Sequence, residues 1–229
     1  VKPSLSHQAY EMIKREILTC VLEPGQQIVQ SQLAERYQIG TTPAREALQR
    51  LVQEGFVQAI PRFGYTVSYV TLSDVREVYE LRAILEPAAA RLAAQRATEA
   101  QLEEVARTAD FYYAYPDGSH RPEAHVHNAD FHRTVANAGN NRRLAEQISR
   151  VLDEMTRIFH LGLDLTPYAQ EMYQEHLDLV DALRQRDPDR AEQVMRDQIV
   201  QSQQRVMAIL SQRLGSLGQA IQIPPANSG

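Results

Sequence analysis

Thr41, Thr42, Arg45, Gln49 and Arg50 fall within ten residues that open on a tight Ile39-Gly40-Thr41 turn. Arginine and glutamine can make bidentate contacts to base edges in the DNA major groove, which is wide enough to admit a helix. Two threonines beside the free amides of a helix start suit a phosphate oxygen. Further along, Arg62 and Gly64 stand in the turn Pro61-Arg62-Phe63-Gly64, where an arginine can enter or flank the minor groove. The same residues also have a plainer reading, as solvated charges on an ordinary helix with Glu46 and Arg50 paired one turn apart.

The elements that must position them follow from periodicity. Tyr10, Ile13, Ile17 and Leu18 recur at helical intervals and predict a first helix over about 6–19. Glu23-Pro24-Gly25 stops it with a type II turn. A short helix over 31–37 buries Leu33, Ala34 and Tyr37. The third helix is expected to use Thr42 as N-cap, Pro43 as its first residue and Gly55 as its terminator. Its stripe of Ala44, Ala47, Leu48, Leu51 and Val52 leaves Arg45, Gln49 and Arg50 off the buried face. After Gly55 the period changes to two, and Phe56-Val57 and Tyr65 to Val70 read as strands. Three helices and a β-hairpin in this order predict a winged helix-turn-helix.

From Thr71 onward no strand pattern returns. Six helices are expected, over 74–96, 99–114, 122–137, 141–163, 168–185 and 188–213, with Thr98 and Gln101 as a capping box for the second. Tyr115 to Pro122 reads as a loop. The fold class is therefore mainly α: a DNA-reading domain over 1–70, an all-α helical bundle over 71–214 and a flexible tail over 215–229.

Composition bounds the function. The net charge is −5, with seven basic and six acidic residues in 1–70 and the remaining −6 beyond it, so bulk charge alone does not announce a nucleic-acid partner. No apolar run or leader pattern predicts a membrane association, and the lone Cys20 excludes an internal disulfide and suits the reducing cytoplasm. A metal enzyme on a helical bundle is one alternative and a winged helix that binds proteins is another. The chain contains no Glu-x-x-His, His-Glu-x-x-His, Gly-x-Ser-x-Gly or Gly-x-Gly-x-x-Gly.

The string Thr42-Pro43-Ala44-Arg45-Glu46-Ala47-Leu48-Gln49-Arg50-Leu51, with Glu54-Gly55, Leu22-Glu23-Pro24-Gly25, Gln32-Leu33-Ala34 and the wing Gly64-Tyr65-Thr66-Val67, closely resembles the GntR family of bacterial transcriptional regulators. The resemblance implies that Thr42, Arg45 and Gly64 contact an operator in double-stranded DNA. Gly40-Thr41 stand where the family usually carries Ser-Arg. Glu80-Leu81-Arg82, Leu85-Glu86-Pro87-Ala88-Ala89, Asp130-Phe131-His132 and Glu175-His176 resemble the FCD effector domain of its FadR subfamily, with six helices as in the VanR-like variant. A homodimeric regulator on a pseudo-palindromic operator is expected, repressing until an effector binds.

Members of that subfamily often hold a divalent metal on an Asp and three His. The matching positions here are Asn128, His132, His176 and Gln198, with Asn128 and His132 one helical turn apart. Two neutral amides in place of strong donors leave a degenerate zinc or nickel site of His132 and His176. The competing reading is a metal-free pocket in which Arg82, Asn128, His132, His176 and Gln198 hold a carboxylate effector; a third is hydrogen-bonded core. His7, His120, His125, His127 and His160 read as surface or loop residues, with His125 on the face of Asn128 and His132.

Overall fold

Ala9, Tyr10, Ile13 and Ile17 lie on one side of the first helix, and burying that stripe organises the N-terminal unit. The computed structural model describes residues 4–110, 123–161, 163 and 165–217. The chain divides between Thr71 and Leu72 into two units. Helix α1 is Leu5–Leu18, with the Ser4 side chain capping it by accepting from the His7 amide. Gly25, at φ +80, makes the turn the sequence predicts, with the Gln26 amide donating to Glu23 O at 3.0 Å. Strand β1 is Gln27–Ile28, α2 is Gln30–Arg36 and α3 is Thr41–Gln53. Strands β2, Val57–Ile60, and β3, Gly64–Val67, form the wing.

Ile13, Ile17, Leu33, Leu48, Leu51, Phe56 and Val67 share one core, with Tyr37 half-buried against it. Gly55 follows α3 at φ +80, as a left-handed terminator does. Three details differ from expectation. First, α3 begins at Thr41 with Gly40 as an N-cap that makes no side-chain hydrogen bond, so Thr42 and Pro43 lie inside the helix. Proline lacks only an amide that has no intrahelical partner anywhere in the first turn, so it does not fix the first residue. Second, Phe56 and the residues after Val67 fall outside the strands. Third, a two-residue β1 pairs antiparallel with β3, Gln27 opposite Thr66 and Ile28 opposite Tyr65, giving the order β1-β3-β2.

The C-terminal unit contains six α-helices among the described residues: α4 Leu72–Arg96, α5 Glu99–Asp110, α6 Glu123–Ala138, α7 Arg142–His160, α8 Ala169–Arg184 and α9 Pro188–Leu217. The capping box forms as read, the Thr98 amide donating to Gln101 Oε1 at 2.9 Å and the Gln101 amide to Thr98 Oγ1 at 3.2 Å. Helices α4 and α9 run antiparallel: Tyr79 Oη lies 2.7 Å from Ser202 Oγ, and Arg91 Nη1 lies 3.2 Å from Glu192 Oε2. Buried Ala89, Ala90, Ala93 and Ala94 let neighbours approach the second half of α4 closely. Helix α9 continues to Leu217, past the boundary expected at 214, because one glycine inside a helix costs only about 1 kcal/mol and Gly215 does not end it. The expected loop over 115–122, residues 111–114, and the rest of the tail lie outside the described residues. Among the described helices none is long and apolar enough to cross a membrane.

Candidate nucleic-acid interface and buried polar cluster

Helix α3 presents Thr41, Thr42, Arg45 and Gln49 to solvent while Ala44, Ala47, Leu48 and Leu51 are buried. Gln30 Nε2 donates to Thr41 O at 2.8 Å and ties the start of α3 to the start of α2. Arg45 has no hydrogen-bond or ion-pair partner among the described residues, so its guanidinium is open to an external acceptor. Arg50 is placed differently. Its guanidinium carbon sits 3.6 Å from the centroid of the Tyr10 ring, and its Nε donates to Glu54 Oε1 at 3.2 Å. Glu54 also accepts from the Tyr10 hydroxyl at 2.7 Å and from Lys14 Nζ at 3.0 Å. Burial would raise the Glu54 carboxyl, but these donors outweigh it and hold the group below the usual carboxylate range. Arg50 therefore joins α3 to α1 through Tyr10 and Glu54, and does not pair with Glu46.

At the wing, Arg62 is exposed with φ +69 and Gly64 is exposed with φ +95. A Cβ on Gly64 would lie 3.0 Å from Ile28 O on the neighbouring strand. Backbone geometry alone thus demands glycine at this position, whatever it touches in a complex.

In the C-terminal unit the residues singled out from the sequence lie on four helices. Arg82 comes from α4, Asn128 and His132 from α6, His176 from α8 and Gln198 from α9, all buried. One residue went unread. Glu86, one turn after Arg82 and 2% exposed, accepts from Arg82 Nε at 2.5 Å, and its Oε2 lies 2.7 Å from His132 Nδ1. The His132 and His176 ring centroids are 5.6 Å apart, and His176 stacks on Phe131 at 3.9 Å. Gln198 Nε2 donates to Glu175 O. Arg82 Nη1 and Gln198 Oε1 are buried without a hydrogen-bond partner. The signal that could have found Glu86 was its i, i+4 spacing from Arg82 on an otherwise apolar helix face.

Electrostatics define what this cluster can do. Burial pushes His176 well below the ordinary histidine value, and the charges of His132 and Arg82 push it the same way. Burial would raise the Glu86 carboxyl, but Arg82 and His132 together pull it down to about 2. The cluster thus holds a neutral imidazole at His176 and an ionised Glu86 spent on Arg82 and His132. It does not suit a divalent metal. Among the described residues no three His, Cys, Asp or Glu side chains gather around one point, and a guanidinium with an open Nη1 repels a second cation. His127 and His160 are half-buried on α6 and α7, and His160 Nδ1 lies 2.9 Å from Thr156 O, so neither is a loop residue. His120 and the His125 side chain lie outside the described residues.

Known proteins supply the remaining evidence. Residues 5–67 match the model for bacterial regulatory proteins of the gntR family, and residues 77–201 match the FCD domain. The Nta operon transcriptional regulator of Aminobacter aminovorans is 30% identical over 168 residues, covering 72% of this chain and 77% of that protein. The HTH-type transcriptional repressor RspR of Escherichia coli K12 is 24% identical over 191 residues, covering 83% and 84%. The solved structure of E. coli McbR/YncC superposes with a TM-score of 0.77 at 25% identity, over 92% of this chain and 99% of that one. With a helix-turn-helix whose Arg45 is open, followed in sequence by an FCD domain, and matched to regulators over most of their length, this chain is a DNA-binding transcriptional regulator and belongs to the GntR family, with an FCD effector domain.

Proposed function

We propose that this regulator is a cytoplasmic repressor released by a small carboxylate held in the buried polar cluster of the C-terminal unit. The observation that carries the reading is Arg82 Nη1, a buried cationic donor with no hydrogen-bond partner. Gln198 Oε1, a buried acceptor in the same unit, is also open. A hydroxyl or amino group on the ligand would satisfy Gln198, and a carboxylate would make a charge-assisted bond to Arg82. His176, neutral by burial, adds a polar ring without charge. Repression is supported by the relative RspR, which is named a repressor. In this reading Thr41, Thr42, Arg45, Gln49, Arg62 and Gly64 form the operator-facing set, and Arg50 supports it through Tyr10 and Glu54.

Titration of chelator-dialysed protein with a panel of small mono-, di- and hydroxycarboxylates tests the effector. At a hundredfold excess over its dissociation constant, a matching acid stabilises the fold by about 2.7 kcal/mol. It also weakens DNA binding, and Gln198→Leu reduces both responses. Tight stoichiometric zinc binding, with no acid having any effect, would overturn the reading.

The same reading includes a homodimer formed through the C-terminal unit. Ile84, 68% exposed, lies one turn from exposed Leu81 on α4, and Val200 is exposed on α9. Glu77 and Arg91 lie seven residues before and after Ile84, two turns each way and so on the same face. A two-fold axis through Ile84 therefore brings the glutamate of one copy towards the arginine of the other, which also pairs with Asp189 and Glu192 of its own chain. Light scattering at micromolar concentration is expected to show a wild-type dimer and an Ile84→Glu monomer of unchanged helicity. A dimeric Ile84→Glu protein places the interface elsewhere.

A further inference from the structure

Phe63 is 69% exposed, the highest value among the exposed large apolar side chains of the described residues. A lone exposed phenylalanine on a loose loop would mean little, but this one stands on a pinned backbone. Its amide donates to Ile60 O at 3.0 Å, and its carbonyl accepts from Gln27 Nε2 at 2.8 Å. Arg62 before it and Gly64 after it both take positive φ, and the close approach of Gly64 to Ile28 O fixes the tip against β1. The ring is thus held out to solvent by a turn braced on both sides.

The position of that ring can be derived from two glutamines. Gln27 grips Phe63 O, and Gln30, three residues later, grips Thr41 O at the start of α3. Three residues span at most about 10–11 Å of backbone, so the wing tip and the N-terminus of α3 are both tied to one short stretch, Gln27–Gln30. Arg45 and Arg62 are exposed on those two elements, and no Asp or Glu occurs from Gln58 to Tyr69. An exposed aromatic ring next to an exposed arginine, with only Ile60 and Pro61 as apolar neighbours in its turn and no acidic residue nearby in sequence, fits a nucleic-acid groove better than a protein surface.

We propose that Phe63 is an apolar wedge. When α3 occupies the major groove, the wing reaches the adjoining minor groove, and Phe63 inserts there at a base step, partly unstacking it, while Arg62 follows the phosphate-lined wall. Apolar side chains inserted in this way kink the duplex and favour flexible pyrimidine–purine steps. Phe63 would then select sequence through DNA deformability at a position the recognition helix does not touch. The proposal rests on the DNA-binding role of this unit and adds a reading mechanism to it.

The test uses the whole 229-residue chain and a duplex enriched by the wild type from a random-sequence pool, with 2-aminopurine substituted in turn at the steps flanking each half-site. Wild-type binding is expected to raise the fluorescence at one step per half-site. Phe63→Ala abolishes that rise and weakens binding by about tenfold, whereas Phe63→Leu, still an apolar wedge, retains most of both. The side chain is exposed, so circular dichroism of both variants matches the wild type. If Phe63→Ala keeps wild-type affinity while Arg45→Ala loses it, DNA reading by α3 stands and the wedge is overturned. Lost affinity without a fluorescence change at any step overturns it as well. If neither variant weakens binding, the DNA-facing assignment of these residues falls, and the wedge with it.

Discussion

Glu86→Gln is expected to destabilise the C-terminal unit by about 3–5 kcal/mol, because it removes one partner of a buried ion pair and strands the other. The exchange preserves the size of the side chain, so the loss is one of charge. Arg82 is 1% exposed and Glu86 2%, and the carboxylate receives Arg82 Nε and faces His132 Nδ1. Without it, a guanidinium remains in a low-dielectric interior without the carboxylate that it pairs with. The double variant Arg82→Met with Glu86→Gln should recover much of that loss, since two uncharged groups replace the pair. The pH dependence has a definite sign. Glu86 ionises in the folded protein at about 2, below its ordinary value of 4.5. Its contribution is therefore present above pH 4.5 and is lost as pH falls from there towards 2. Calorimetry from pH 7 down to pH 3 should show the wild-type melting temperature falling more steeply than that of Glu86→Gln. Equal melting temperatures at pH 7 would mean that Arg82 does not depend on this carboxylate.

That pair marks the limit of what the sequence discloses. Periodicity exposes a helix when one stripe is continuously apolar, and Ala44, Ala47, Leu48 and Leu51 were legible for that reason, as were the reciprocal caps Thr98 and Gln101 and the terminator Gly55. Local chemistry decides such features, so local reading finds them. Glu86 breaks the rule that a charge on a helix faces solvent, and only the approach of His132 from α6 and Arg82 from its own turn explains it. Arg50 misleads in the opposite direction. On α3 it looks like another base-reading arginine, yet its partner ring, Tyr10, lies forty residues earlier on α1. Strand β1 is two residues long, too short to show alternation, and exists through pairing with Thr66 and Tyr65. Spacing along α4 could pair Glu86 with Arg82, but His132 beside Glu86, Tyr10 under Arg50 and the partner of β1 are contacts between distant segments, which spacing along one element does not encode.

The contrast between Arg45 and Arg50 yields the last prediction. Both are exposed or half-exposed arginines on one helix, five residues apart, and both appear in the string that matches the family. They differ in what already occupies them. Arg45 is open, one turn into α3 and beside the exposed Thr41 and Thr42, where a base edge or an adjacent phosphate would meet it. Arg45→Ala should remove about 1–3 kcal/mol of binding per half-site. Over the two half-sites read by a dimer this becomes about 2–6 kcal/mol, if the separated contacts add. The thermal stability of the free protein should not change. Arg50 is stacked on Tyr10 and bonded to Glu54. Arg50→Ala should therefore lower the stability of the N-terminal unit by about 1 kcal/mol, while a fully folded sample binds DNA nearly as well as the wild type. Binding isotherms and melting curves of the two variants separate these roles. A loss of affinity in Arg50→Ala equal to that in Arg45→Ala, with no loss of stability, would show that the guanidinium leaves Tyr10 for the DNA, and that α3 reads its operator with both arginines.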